Sequence, residues 1–299
     1  MSVREVRDRR GRRLRGRKGL LERESLLQTI GLTLDALNAG AGEALLLEGH
    51  AGMGKTRLHE SALDEARRRG MRVLRAAGAE LEQNVALGVA RQLVRALLHD
   101  LPTGSRRAFL AKAPERVRSL AAPREELPEP AVEADLTFSH GLFAAVAGAA
   151  ETHPTLLAID DLHWCDVASL EFVLYVLHRL EELPVALIMT RRPGPAGESS
   201  DALDRISSHP RVRIENLAPL GREAVGELAR RALGDRTDPS LVEACAEVTG
   251  GNPFYLRELL IALAEDPEGS AGELAWRARA LAPDAVTRSL RVRVGRLGP

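Results

Sequence analysis

The stretch "GHAGMGKT" (49–56) fits the pattern G-x-x-x-x-G-K-[S/T],. Its glycines let the backbone curl so that successive N–H groups point inward and can bind phosphate oxygens. Lys55 would then reach the β- and γ-phosphates and the Thr56 hydroxyl would bind Mg²⁺. Lysine is rare in this chain, occurring only at positions 18, 55 and 112. The predicted nucleotide-binding residues are Gly49, His50, Ala51, Gly52, Met53, Gly54, Lys55, Thr56 and Arg57.

Two adjacent carboxylates, Asp160 and Asp161, end the apolar run "LLAIDD" (156–161). They could cap a helix, hold a metal ion or share a proton. Neighbouring strand residues point to opposite faces, which disfavours a shared proton. Asp166, just before "VASLEFVLYVL", is the better helix cap. We therefore interpret Asp160 as an Mg²⁺ ligand and Asp161 as the group that orients the attacking water.

Strands and helices alternate along the chain. Apolar strands are predicted over residues 43–49, 71–78, 155–160, 184–190 and 211–217. Helical periodicity separates the first four strands, and only helices follow Pro219, the last of them from about residue 285,. This predicts an α/β fold, a P-loop NTPase parallel sheet covered by helices on both faces and followed by a smaller all-helical lid domain. The predicted domains are a basic disordered tail (1–19), the α/β domain (20–217) and the helical lid (218–299). Within residues 101–134, we interpret the Pro- and Glu-rich stretch "APREELPEPAVEA" (122–134) as a connector or mobile insertion, and we expect a polar loop over residues 191–201,.

Charge is unevenly distributed. Residues 1–19 carry a net charge of +7 and the remaining 280 residues a net charge of −7. This balance argues against a large nucleic-acid-binding face, so DNA binding is not expected from this chain. Two cysteines, Cys165 and Cys245, without metal-ligand spacing suggest a reducing cytoplasm,. We expect neither a signal peptide nor a membrane span.

Four segments in order, "GHAGMGKT", "LLAIDDLHWCD", "LIMTRR" and "TGGNPFYLREL", resemble the signalling-type (STAND) AAA-related ATPases. The combination is most similar to the N-terminal ATPase module of large LuxR-family regulators. The resemblance covers residues 20–299. It implies ATP or ADP and Mg²⁺ as cofactors, and a protein partner or self-association that reads the nucleotide state.

The resemblance also assigns residues beyond the glycine loop. One of Arg191 and Arg192, which follow the fourth strand, would be the sensor arginine that reads the γ-phosphate. Asn252 and Pro253 are explained structurally as the cap and first residue of a helix. By resemblance, Pro253 would also lie on the adenine and link the helical domain to the nucleotide. The segment "LLERESLL" resembles the family's N-terminal motif, which lies against the nucleotide and contributes Arg23. This chain has Glu22 where the family usually has glycine. It also ends at "RVRVGRLGP", at the start of a possible winged-helix region, where large regulators continue, so we expect a truncated relative or a stand-alone module.

Three functions remain open at this level. The first is a slow ATPase switch, favoured because aspartate at position 161 is one methylene shorter than the glutamate of many fast P-loop ATPases. The second is a non-catalytic ATP- or ADP-binding scaffold. The third, a nucleic-acid motor, needs basic surfaces that the folded part lacks.

Overall fold

A computed structural model of the chain describes residues 20–83, 85–113, 115–120, 136–194, 200–265, 270 and 272–281. The basic tail, the expected connector at residues 122–134 and the helix predicted from about residue 285 lie outside these residues.

Five parallel strands form the sheet, in the order β2-β3-β4-β1-β5. Their apolar sequences explain this arrangement, because β3 is buried at all six positions and so must be covered on both faces,. The predicted parallel α/β fold followed by helices is therefore confirmed. The strands are β1 (Glu43–Glu48), β2 (Arg72–Ala77), β3 (Thr155–Asp160), β4 (Val185–Arg191) and β5 (Val212–Asn216).

Most connections between strands are helical, and further helices follow β5. Short 3₁₀ turns cover Glu80–Glu82, Leu162–Trp164, Leu180–Glu182 and Gly234–Arg236. The α-helices are α1 (Glu24–Asn38), α2 (Lys55–Arg68), α3 (Gly88–Asp100), α4 (Thr103–Lys112), α5 (Glu115–Ser119), α6 (Leu136–Ala150), α7 (Val167–Leu177), α8 (Ser200–Ser207), α9 (Arg222–Leu233), α10 (Pro239–Thr249), α11 (Pro253–Leu263) and α12 (residues 272–281).

The chain divides into two compact units, which we describe separately. The α/β unit comprises Leu26–Gly49 and Lys55–Asn216, and the helical unit comprises Met1–Ser25, His50–Gly54 and Leu217–Pro299. Most of the glycine loop thus groups with the helical unit, while the helix that follows it belongs to the α/β unit.

Each unit has its own hydrophobic core. In the α/β unit, side chains of β1 to β4 pack with apolar faces of helices such as α3, α6 and α7. In the helical unit, residues of α9, α10, α11 and α12 pack together, with Leu21 against them. Among the described residues, no helix is both long enough and apolar enough to cross a bilayer.

Ahead of the expected connector, in a region to which the sequence assigned no helix, the structure has α4 and α5, because Phe109 and Leu110 pack against the α/β core and Val117 is buried within it. One loop prediction was wrong in part. The polar loop expected up to residue 201 gives way to α8 at Ser200. There Ala202, Leu203 and Ile206 are buried at helical spacing, a pattern masked in the sequence by the preceding prolines and glycines,.

Candidate functional site

The glycine loop leaves the buried strand β1 and leads directly into α2. Gly52 and Gly54 have φ values of +87° and +92°, in the region that glycine adopts readily,. Helix α2 begins at Lys55, so its free N–H groups and positive dipole end lie beside the loop,. This is the backbone arrangement that favours an anion.

Lys55 is a buried cation, only 6% exposed. Its Nζ donates a hydrogen bond of 2.6 Å to the Gly49 carbonyl, which turns the ammonium back toward the loop. Thr56 is exposed and Arg57 half-buried in the same first turn. A buried ammonium beside a helix N-terminus is suited to neutralise phosphate charge.

Asp160 ends β3 as a carboxylate that is 5% exposed. The register that pairs Ile159 with Met189 brings Thr190 of β4 beside it. The Thr190 hydroxyl donates to Asp160 Oδ1 at 2.6 Å and accepts from the Asp161 N–H at 2.9 Å. The Asp161 N–H also lies 3.2 Å from Asp160 Oδ1. These bonds fix the carboxylate at the carboxyl edge of the sheet, where ligands bind in parallel α/β folds.

Asp161 does not continue the strand. Its backbone lies in the left-handed region, with φ 51° and ψ 53°, which aspartate tolerates better than most residues,. The regular strand therefore stops at Asp160, and the rule that neighbouring strand residues face opposite sides does not apply to Asp161. A turn, rather than strand alternation, sets the direction of Asp161.

Gly78, which follows β2, makes this turn possible. A Cβ at position 78 would lie 2.5 Å from the Asp161 carbonyl oxygen and 2.8 Å from the Trp164 carbonyl carbon. Its N–H donates to the Asp160 carbonyl at 2.9 Å. Only glycine allows the backbone after β3 to approach so closely.

His163 lies beside Asp161, with Nε2 3.8 Å from Asp161 Oδ1 and its ring 4.9 Å from that of Trp164. Neither ring nitrogen of this buried side chain makes a hydrogen bond. Burial, followed by the positive charges of Arg192 and Lys55, lowers the pKa of His163 to about 3. The imidazole is therefore neutral near pH 7.

The two candidate sensor arginines have different surroundings. Arg191 is held by Glu48, through Nε to Oε1 at 2.7 Å, and by the Ser207 hydroxyl of α8. The Arg192 guanidinium lies 5.9 Å from the centre of the Trp164 ring, and its Nε is buried without a hydrogen bond. This placement favours Arg192 over Arg191 as the arginine available to a ligand.

His59, one turn after Lys55 on α2, is fully buried beneath the site. Burial lowers its pKa to about 4, while the nearby Asp160 carboxylate acts in the opposite direction by a smaller amount. Helix α2, which carries His59, packs against β3 and β4.

Arg23 and Pro253 belong to the helical unit. Arg23 is buried and donates to the Ala218 carbonyl at 2.7 Å and to the Glu22 carbonyl at 3.0 Å. Burial lowers the pKa of its guanidinium. Pro253 is the first residue of α11, and the prediction that Asn252 caps this helix is confirmed.

Glu22 occupies the position at which the ATPases that the sequence resembles usually have glycine. Its φ is +54°, a conformation that glycine adopts without strain,. Its carboxylate accepts a 2.7 Å hydrogen bond from the Gly221 N–H, at the start of α9. The Glu22 side chain thus holds the residue that precedes α9, an interaction that glycine could not make.

Sequence reasoning missed Thr190 and Gly78 and understated Asp166. The predicted cap is confirmed, since Asp166 accepts from the Ser169 N–H, but its carboxylate also accepts from Leu87 N and Gly88 N at the start of α3. The sequence signal for Thr190 and Gly78 was a polar residue or a glycine at the end of an apolar strand. The neighbouring strand that makes each one important cannot be identified without the sheet order.

The residues present fit a nucleoside triphosphate with Mg²⁺. The loop, the helix N-terminus and buried Lys55 supply donors and positive charge for phosphates, and Asp160 and Thr56 offer the oxygen ligands that Mg²⁺ prefers,. Asp160 and Arg191 end the neighbouring parallel strands β3 and β4 at one edge of the sheet, Arg192 follows directly, and Lys55 opens the helix after β1.

Comparisons with known proteins concern the family and the fold of the chain. Residues 19–189 match the family described as the AAA ATPase domain. An uncharacterized protein of Rhizobium meliloti (strain 1021) is 27% identical over 309 aligned positions, covering 95% of this chain. The chain spans 29% of the length of that relative.

Two solved structures share the fold. The Aeropyrum pernix ORC2 protein, solved in ADPNP and ADP complexes, is 14% identical with a TM-score of 0.54, covering 88% of this chain and 68% of its own. A variant of Thermotoga maritima RuvB is 15% identical with a TM-score of 0.50, covering 90% of this chain and 73% of its own. At these identities the likeness concerns the fold alone.

Proposed function

The chain belongs to the AAA ATPase domain family, and we propose that it is an ATP-binding, slowly hydrolysing regulatory switch. The observation that carries the proposal is the polar cluster at the carboxyl edge of the sheet, where Asp160 is held by Thr190 beside the turn at Asp161. Lys55, buried in the same α/β unit, opens the helix that follows β1.

The protein's residues divide the work of phosphoryl transfer. Loop N–H groups and Lys55 would bind the β- and γ-phosphates, and Thr56 and Asp160 would hold Mg²⁺. When bound, Mg²⁺ would neutralise part of the negative charge on the phosphates. Asp161 would accept a hydrogen bond from the attacking water, whose oxygen bonds to the γ-phosphorus as the bond to ADP breaks. Arg192 would stabilise the negative charge that develops on the γ-phosphate.

Slow turnover follows from the second carboxylate. Aspartate reaches one methylene less far than glutamate, and a misplacement of about 1 Å can cost about a hundredfold in rate. Asp161 also occupies a left-handed turn held by Thr190 and Gly78, which limits its freedom to move closer. A slow rate suits a timed switch better than a motor.

We further propose that this switch is the ATPase module of a LuxR-type regulator, acting in the cytoplasm through a protein partner or through self-association. The ordered series of motifs supports this proposal. The net charge of −7 over residues 20–299 supports a role without DNA contacts from this region,.

Substitutions of the two aspartates test the proposal, because each should impair a different step. Asp160→Ala should weaken Mg²⁺-dependent ATP binding and hydrolysis together. Asp161→Ala should retain ATP binding and lose most hydrolysis, and Asp161→Glu should raise the rate if reach is limiting. Nucleotide affinity and ATP turnover are measured for all three variants. Hydrolysis by Asp161→Ala at the wild-type rate would make the second carboxylate structural and favour a non-catalytic nucleotide-binding scaffold.

A further inference from the structure

Asn252 uses both ends of its carboxamide. Its Oδ1 accepts hydrogen bonds from Phe254 N at 3.0 Å and Tyr255 N at 3.4 Å, which caps α11. Its Nδ2 donates to the Ala51 carbonyl of the glycine loop at 2.9 Å. The side chain is 7% exposed, so both interactions are shielded from water. Helix capping needs only the oxygen and leaves the loop contact unexplained.

The turn that presents Asn252 is itself firmly held. Gly250 and Gly251 both have positive φ, and the Asn252 N–H donates to the Thr249 carbonyl at 3.0 Å. The Gly251 carbonyl accepts from Leu220 N at 2.8 Å. These bonds fix the Asn252 backbone from two directions within the helical unit.

The loop approaches Asn252 very closely. A Cβ at Gly52 would lie 2.5 Å from Asn252 Oδ1 and 3.0 Å from Phe254 Cβ. Glycine at position 52 is therefore required both by its φ of +87° and by the side chain that packs on it,.

The Ala51–Gly52 peptide links this contact to phosphate binding. In a planar trans peptide, the C=O of one residue and the N–H of the next point in opposite directions. A donor that holds the Ala51 carbonyl on the Asn252 side therefore directs the Gly52 N–H to the opposite side. Anion binding by a glycine loop requires the Gly52 N–H to point toward the anion and the Ala51 carbonyl to point away from it.

We propose that Asn252 is a positioning residue of the nucleotide site, which sets the orientation of the Ala51–Gly52 peptide and couples phosphate occupancy of the loop to the helical unit. The proposal rests on the proposed function. Because linkage is reciprocal, a phosphate that favours this peptide orientation also strengthens the bond to Asn252 and so stabilises the helical unit.

Two substitutions separate the loop contact from the cap. Asn252→Asp and Asn252→Ser both keep an oxygen that can cap α11, and neither supplies a donor that reaches Ala51. Asp adds a negative charge and Ser does not, so a shared effect is independent of charge repulsion. Asp238→Ala is the control, because Asp238 caps α10 in the same unit through Leu241 N.

The experiment measures the affinity for ATP and ADP and the nucleotide-induced rise in the unfolding midpoint of the helical unit. Trp276, 71% exposed on α12, reports that unit when Trp164 is replaced by phenylalanine. Both Asn252 variants should bind ATP and ADP about fivefold to tenfold more weakly. They should also show a smaller nucleotide-induced rise in the midpoint. Asp238→Ala should lower the midpoint without nucleotide and leave affinity unchanged.

Wild-type affinity in Asn252→Ser, or an equal loss of affinity in Asp238→Ala, would overturn the inference. A wild-type protein that binds no ATP would instead overturn the proposed function, and the inference with it.

Discussion

Acid should destabilise the α/β unit through His59. This imidazole is fully buried, and its pKa is lowered from 6.5 to about 4. The folded state therefore binds fewer protons than the unfolded state between these values. The free energy of unfolding that depends on neutral His59 is fully present above pH 6.5 and is lost as the pH falls toward 4,.

The size of the effect follows from the two pKa values. At pH 5 the difference in proton binding corresponds to about 2 kcal/mol of lost stability from His59. His163, with a pKa lowered to about 3, contributes a further loss of about 2 kcal/mol at the same pH,. The wild-type α/β unit should thus lose about 4 kcal/mol between pH 7.5 and pH 5.0, and His59→Leu about half of that.

Urea unfolding at the two pH values measures these losses. The chain has two tryptophans, and Trp164 alone lies in the α/β unit, so a Trp276→Phe background isolates its signal. His140→Leu is the matched control, since His140 is exposed on α6. An equal pH-dependent loss in wild type and His59→Leu would refute the argument from burial.

Three further predictions concern other parts of the chain. Asp166→Ala should cost about 3 kcal/mol or more in urea unfolding, because it leaves Leu87 N and Ser169 N without their acceptor and removes one of the two acceptors of Gly88 N,. A cost near the ~1 kcal/mol of an ordinary cap would show that the contacts to α3 are unimportant. Thr190→Val should lower ATP turnover at least about tenfold with a smaller change in ATP affinity, and Thr190→Ser should restore it; equal turnover in both variants would contradict this. Deleting residues 1–19 should remove salt-sensitive DNA retardation, whereas retardation retained at physiological salt would favour a nucleic-acid enzyme.

The sequence predicted the sheet and its ligand edge because both depend on local patterns. Short apolar runs indicated the five strands, and the spacing of "GHAGMGKT" indicated the loop between β1 and α2. Asp166 and Asn252 were recognised as caps because capping depends on residues three or fewer positions away.

Interactions between distant segments could not be predicted in the same way. Thr190 becomes important only when β4 lies beside β3, and Gly78 only when β2 lies on the other side of β3. The contact between Asn252 and Ala51 joins residues 201 positions apart. The left-handed turn at Asp161 depends on both neighbouring strands, so regular strand alternation was the wrong guide to its direction.

The most direct measurement of the central claim is the affinity of Lys55→Ala for Mg·ATP. Wild type and variant are titrated with a fluorescent ATP analogue, and turnover is measured beside them. Glu60→Ala, an exposed change on the same helix, serves as the control, and circular dichroism verifies the fold. Binding and hydrolysis should be undetectable in Lys55→Ala and unchanged in Glu60→Ala. Equal affinity in Lys55→Ala and wild type would contradict the account of the loop as the phosphate site.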